Sequence, residues 1–222
     1  PDINIDFGST DEPGQIVDSI SILIVLTILT LAPSILTLLT SFTRIIVVFS
    51  LLRSALATQQ TPPNQVLIGL ALFLTFFIMS PIIGQIMETA VDPYMEGSVT
   101  QEEAIDIAKP IKEFMLRQTR EKDLALFVNI SEEEMPNDRM DVSMTTLIPA
   151  FVISELKTAF TIGFLLYIPF IVIDMVVSGI LMSMGMFMLP PGTISLPFKL
   201  LLFILVDGWH LIVKSLVEGF VS

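Results

Sequence analysis

The chain has 222 residues, 53% of them hydrophobic and 15% charged, with a formal net charge of -12. One water-soluble core of this size cannot hide that much apolar surface, so lipid or protein partners must cover it. The acidic balance excludes a nucleic-acid surface, which needs basic residues facing phosphates. With no cysteine, disulfides, thiolate metal sites and a thiol nucleophile are excluded too.

Residues 1–19 form an acidic N-terminal segment carrying Asp2, Asp6, Asp11, Glu12 and Asp18 without a Lys or Arg. This is the reverse of a signal-peptide start. It reads as the extracytoplasmic beginning of a mature chain whose secretory signal has been removed. Residues 20–90 read as a first helical hairpin. Ile20 to Phe42 is free of charge and long enough to cross a bilayer core, and Pro33 should kink or divide it. Arg44 and Arg53 flank a shorter apolar run and are the only basic residues before Lys109. By the positive-inside rule they place this stretch near the cytoplasm. After the polar turn Thr58 to Asn64, with its Pro62-Pro63 stop, a second charge-free helix runs from Gln65 to Met87, and Pro81 should break its end.

Residues 91–145 form a polar extracytoplasmic segment. The stretch Asp92 to Asp141 holds 13 of the 23 acidic and 6 of the 11 basic residues, so it faces water. Gln101 to Asp123 is rich in helix formers, with Pro110 as a start or break, and Glu132-Glu133-Glu134 caps a solvated loop or helix start. Residues 146–222 read as a second hairpin. Its first block, Thr146 to Met188, contains Pro149 and Pro169 and is long enough for two helical pieces. Pro190-Pro191-Gly192 compels a break, and Leu196 to Val217 makes the last helix. The predicted fold is an all-α integral membrane protein of long, proline-broken helical hairpins with a mainly helical polar insertion.

Charges interrupt the apolar blocks, among them Glu155, Lys157, Asp174, Lys199 and Asp207. A lone ionised group at bilayer depth costs roughly 2.5–3.5 kcal/mol on insertion scales, so such groups pair or meet water. Glu155 and Lys157 lie two apart and share no helix face. Glu155 therefore needs a partner from another helix, and Lys199 is the expected one, forming a structural ion pair within the chain or between subunits. Asp174 and Asp207 are candidate buried acids; for Asp174, helix packing or subunit contact is the commoner role and a proton relay the rarer one. Trp209 and His210 read as interfacial packing. The sequence contains neither HExxH nor GxSxG, and no paired catalytic groups or metal ligands suggest themselves; no enzyme activity, cofactor or metal is expected.

Three stretches together resemble the FliP family of flagellar export-gate proteins and its injectisome counterparts. They are SFTRIIVVFSLLRSALATQQTPPNQVLIGLALFLTFFIMSP (Ser41 to Pro81), PAFVISELKTAFTIGF (Pro149 to Phe164) and MGMFMLPPGTISLPFKLLLFILVDGWHL (Met184 to Leu211). The chain departs from the family pattern at Thr161, where a charged or amide side chain is usual, and at Phe187, inside what is often an unbroken methionine run. The resemblance implies a helical subunit of the flagellar basal body in the bacterial inner membrane. It would assemble with several copies of itself, with FliQ-like and FliR-like partners and with a FlhB-like export protein, around a passage for unfolded secreted proteins. In that setting Met184, Met186, Phe187 and Met188, with Met182 before them, read as the pore constriction. Thioether side chains are flexible and polarizable enough to close around varied shapes, and Pro190 and Pro191 stop the helix so that a loop can project. The rival class is a small-solute or ion channel or secondary transporter built from similar broken helices; it would need a narrow polar filter instead of an apolar constriction.

Overall fold

A computed structural model describes residues 13–58, 60–91, 108–131, 136 and 138–221. Most of the acidic N-terminal segment, the start of the polar segment and the triple-glutamate run fall outside the described residues. All regular structure among the described residues is helical. The chain divides into two compact units, the first ending at Thr37 and the second beginning at Leu38.

Helix α1 (Pro13–Leu39) contributes most of its length to the first unit and passes through Pro33 without ending. The hydroxyls of Thr27 and Thr30 donate back to the carbonyls of Leu23 and Thr27 at 2.7 and 2.8 Å, which spends their polarity on the helix itself. Leu23, Leu26 and Leu29 stand exposed beside them. That surface suits lipid or a protein partner better than water.

The second unit is built around α2 (Phe42–Ala55) and a 40-residue helix, α6 (Met144–Ser183). Ile45, Val48, Phe49 and Leu52 recur at helical spacing on one face of α2, and Leu147, Ala150, Phe151, Ser154, Glu155, Ala159 and Gly163 do so on α6; all are buried. The two helices run in parallel, as Arg44 meets Glu155 near their starts and Leu51 lies against Gly163 further along. A Cβ on Gly163 would come within 2.2 Å of Leu51 Cδ1 and 3.0 Å of its Cβ, so glycine is what permits this approach. Packed against α2, α3 (Asn64–Ile86) buries Leu67, Ala71, Leu74, Ile78 and Ile82 and turns Phe73, Phe76 and Phe77 outward. Arg53 ties the turn before it, donating to Pro62 O at 3.3 Å and Asn64 Oδ1 at 2.5 Å.

The polar segment supplies α4 (Ala108–Gln118) and α5 (Glu121–Ile130). Pro110 sits in the first turn of α4, where a missing N–H is harmless. Phe114, Met115 and Leu116 bury that helix into the shared core. A short 3-10 turn, Arg139–Asp141, is fixed by a capping box between Asp138 and Asp141, and Ser143 caps α6 by accepting from Thr146 N at 3.3 Å. The chain closes with α7 (Pro191–Leu205) and α8 (Gly208–Val221).

Several expected breaks are differently placed. Helix α3 continues through Pro81 to Ile86 and then widens into a short π-helix, Met87–Val91, while α6 runs unbroken through Pro149 and Pro169 for about 60 Å. Proline removes one backbone hydrogen bond and bends a helix, but packing and an apolar surrounding hold the remaining ladder. The last helix, expected to be continuous, instead bends by 61° between α7 and α8. There Asp207 adopts the left-handed φ of 51°, and a Cβ on Gly208 would lie 2.2 Å from the Phe203 ring. Asp tolerates this backbone region and glycine permits the close approach, so Asp207-Gly208 is a real helix terminator.

Among the described residues two helices, Asn64–Thr89 and Met144–Ser183, can cross a membrane by length and composition; the number rises to four if the helix pairs Leu29–Leu39 with Phe42–Ala55 and Pro191–Leu205 with Gly208–Phe220 each count as one span.

Candidate functional site

The most exposed apolar feature of the second unit is the turn joining α6 to α7. Helix α6 ends in a Schellman motif: Gly185 takes a φ of 74°, its N–H donates to Met182 O at 3.1 Å, and Met186 N donates to Leu181 O at 2.9 Å. Pro190 caps α7 and Pro191 opens it, where its fixed φ suits a helix start and its missing N–H is no loss. The turn between these two fixed ends lifts Met184, Met186, Phe187 and Met188 clear of the surrounding side chains, and Met188 is 95% exposed. Met182, on the last turn of α6, is exposed beside them.

Below the turn, charges meet in a pattern the sequence reading paired otherwise. Lys199 does not reach Glu155. Its ammonium, 3% exposed, donates to Asp174 Oδ2 at 2.7 Å and to Ala55 O at 3.2 Å, and Ser195 Oγ donates to Asp174 Oδ1 at 2.5 Å. Asp174 is half-buried by these contacts, whereas Asp207, the other candidate buried acid, is exposed at the α7–α8 bend. Lys157 also faces out, consistent with its position two residues from buried Glu155.

Glu155 belongs to a second cluster, at the other end of α2. Arg44 Nε donates to Glu155 Oε2 at 2.9 Å and Arg44 Nη2 to Glu155 Oε1, the two-pronged arrangement a guanidinium offers a carboxylate. Nη2 also donates to Gln118 Oε1 at 2.9 Å, Nη1 donates to Gly219 O at 3.3 Å, and the guanidinium lies 3.9 Å from the centre of the Phe220 ring. One cation thereby joins α2, α4, α6 and the C-terminal turn of α8, whose last carbonyls lack helix partners and favour positive charge. By the positive-inside rule Arg44 is an orientation signal near the cytoplasm. In the structure it is buried and touches the polar segment through Gln118, so it cannot stand across a membrane from that segment. The signal that could have revealed this is Arg44 itself, set between apolar residues that give it no partner on its own helix.

A third cluster fixes the polar helices to α6. Ser154 Oγ donates to Asp123 Oδ2 at 2.7 Å and accepts from Arg120 N at 3.1 Å, and Arg120 Nη2 donates to the same carboxylate oxygen at 2.5 Å. Burial pushes the Asp123 carboxyl up, but the bonds from Ser154 and Arg120 and the charges of Arg120 and Lys157 outweigh it and hold it below its ordinary value. A carboxyl whose folded pKa is depressed binds fewer protons folded than unfolded. Its stabilisation is complete above the ordinary aspartate range and is lost as pH falls through the folded value. Asp123→Asn should therefore lower the melting temperature at neutral pH, with the gap to the parent closing as pH drops below about 4. Thermal unfolding of the detergent-solubilised protein across that range checks it; a gap independent of pH would mean the charge of Asp123 is not what matters.

Trp209, at the start of α8, packs edge-on against Phe203 and Phe49 with ring centres 5.5 and 6.2 Å away, and His210 beside it faces outward along an apolar groove with Leu70, Val213 and Val217.

Residues 25–216 match the FliP family. The chain is 56% identical over 217 residues to the flagellar biosynthetic protein FliP of Bacillus subtilis (strain 168), an alignment covering 97% of this chain and 98% of that protein. It is 55% identical over 205 residues to the flagellar biosynthetic protein FliP of Pectobacterium carotovorum subsp. carotovorum, covering 92% and 80%, and 52% identical over 212 residues to that of Aquifex aeolicus (strain VF5), covering 93% and 88%.

Proposed function

The chain belongs to the FliP family, and from that membership we propose that it is a subunit of the export gate of a bacterial flagellar type III secretion apparatus in the inner membrane. With several copies of itself and with FliQ-like and FliR-like proteins it would form a channel for unfolded secreted proteins, adjoining a FlhB-like export protein. The family supports the flagellar setting. The observation that carries the channel reading is the exposed Met186, Phe187 and Met188 at the tip of the α6–α7 hairpin. Large flexible apolar side chains presented at a tip, instead of packed in a core, suit a seal that must accept many sequences. The outward aromatic and aliphatic faces of α3, α6 and α7 are surfaces for neighbouring subunits and lipid.

In this reading the tips from several copies meet on the channel axis and close it by apolar contact. A passing polypeptide pushes them aside and they close again behind it. Met186→Ala/Phe187→Ala/Met188→Ala should then assemble normally and leak ions at rest, by on the order of tenfold or more, since three large side chains are removed from a plug held only by contact. Ion flux through the purified complex in liposomes measures this. A triple variant as tight as the parent would overturn the constriction.

A further inference from the structure

Helix α2 stops at Ala55, and beyond it the α6–α7 hairpin continues without that support. From Asp174 to the end of α6 at Ser183 the helix rises a further stretch of about 14 Å. Met175, Val176, Ile180 and Met182 along this stretch are exposed, as is Ile194 on the returning strand of chain. Apolar contacts of this kind are non-directional and permit sliding. What is directional lies at the base of the stretch. Ser195 and Lys199, one helical turn apart on α7 and both buried, each address a different oxygen of the Asp174 carboxylate. Lys199 also reaches the terminal carbonyl of α2. Among the described residues, all side-chain hydrogen bonds between α6 and α7 run through Asp174.

Resting on the constriction reading above, we propose that Asp174, Ser195 and Lys199 form a clasp that positions the methionine turn. Two bonds to one carboxylate fix both the register of α7 on α6 and the angle between them, and the third, to Ala55 O, refers that angle to the α2–α6 core. A change of angle at the base is carried to the tip by two rigid helices, so a small error at Asp174 displaces Met186, Phe187 and Met188 from the axis where they must meet. The Lys199 ammonium is buried, and the half-buried carboxylate of Asp174 stands between it and water. When that carboxylate is lost, α7 must shift on α6 until water or another group satisfies Lys199. Packing of Phe170 and Phe203 nearer the core keeps the helices folded while the tip moves. These three are positioning residues and touch no substrate.

The test uses the whole chain co-expressed with its partner proteins, with resting ion flux in liposomes read beside the yield of assembled complex on native gels. Ser195→Ala and Asp174→Asn should assemble at the parental level and leak about tenfold more, the factor that losing a hydrogen bond to a charged group is worth in an equilibrium. Ser195→Thr, which keeps the hydroxyl, should stay tight. Parental tightness in both weakened variants would overturn the clasp, and so would a leak that tracks loss of assembly or a leak in Ser195→Thr equal to that of Ser195→Ala. The methionine-turn triple variant, measured alongside, separates the two ideas: if it stays tight the constriction itself fails, and if it leaks while the clasp variants do not, only the clasp fails.

Discussion

Arg44→Met is expected to destabilise the second unit by about 3–5 kcal/mol, the loss typical when one partner of a buried ion pair is removed and the other stranded. Glu155 has no solvent exposure, and both of its oxygens are committed to Arg44. The same substitution uncovers Gln118 Oε1 and the Gly219 carbonyl, so three helices lose a common anchor at once. The double variant Arg44→Met/Glu155→Leu should recover most of the loss, because apolar side chains of similar volume in place of a buried pair are often neutral or stabilising. Trp209, the single tryptophan, packs on Phe49 of α2 and Phe203 of α7, and its fluorescence reports unfolding in detergent without a label. A single-variant loss under about 1 kcal/mol, the worth of an exposed pair, would mean that water already reaches Glu155.

The location of helices was legible because it depends on local composition. Charge-free runs, Pro190-Pro191 between α6 and α7, and the polar turn before Asn64 all act on the chain within a few residues. Asp207-Gly208 is an equally local helix-ending signal, but the surrounding Leu, Ile and Val mask it by giving the pattern of one continuous helix. Prolines misled in the opposite direction. Pro81, Pro149 and Pro169 lie inside helices that continue past them, whereas α6 ends at the left-handed Gly185 and the consecutive Pro190 and Pro191 open α7.

Pairing among charges was not legible for a different reason. Glu155 needs a cation, but composition alone admits any basic residue in an apolar block. The choice of Arg44 over Lys199 is made by the parallel packing of α2 on α6, which Leu51 and Gly163 fix at one point. Arg44 precedes Leu51 by about two helical turns, as Glu155 precedes Gly163. Once that register is set, Arg44 falls opposite Glu155, and the end of α2 at Ala55 falls near Asp174, where Lys199 arrives on the returning α7. Ser154, Ser195 and Gln118 escaped notice because small polar side chains in apolar helices carry no signal until their partners are known.

Phe114→Ala should cost about 3–5 kcal/mol, the range for removing a buried aromatic ring, and its effect should spread to the Arg44 cluster. Phe114 is the one described ring of the polar helices that stacks on rings of both α6 and α8: its centre lies 6.0 Å from Phe151 of α6 and 6.1 Å from Phe220 of α8. Phe220 in turn covers the Arg44 guanidinium. Losing Phe114 leaves a cavity under α4 and frees Phe220 to move, which lets water approach Arg44 and Glu155. The two substitutions should therefore be coupled. In the Phe114→Ala background, Arg44→Met should cost about 1 kcal/mol less than in the parent, within the range found for residues sharing one network. Trp209 fluorescence unfolding of the four proteins in one detergent gives the cycle. Additive losses would mean that the aromatic stack and the ion pair hold the polar helices independently, and that water entering beside α4 stops short of Glu155.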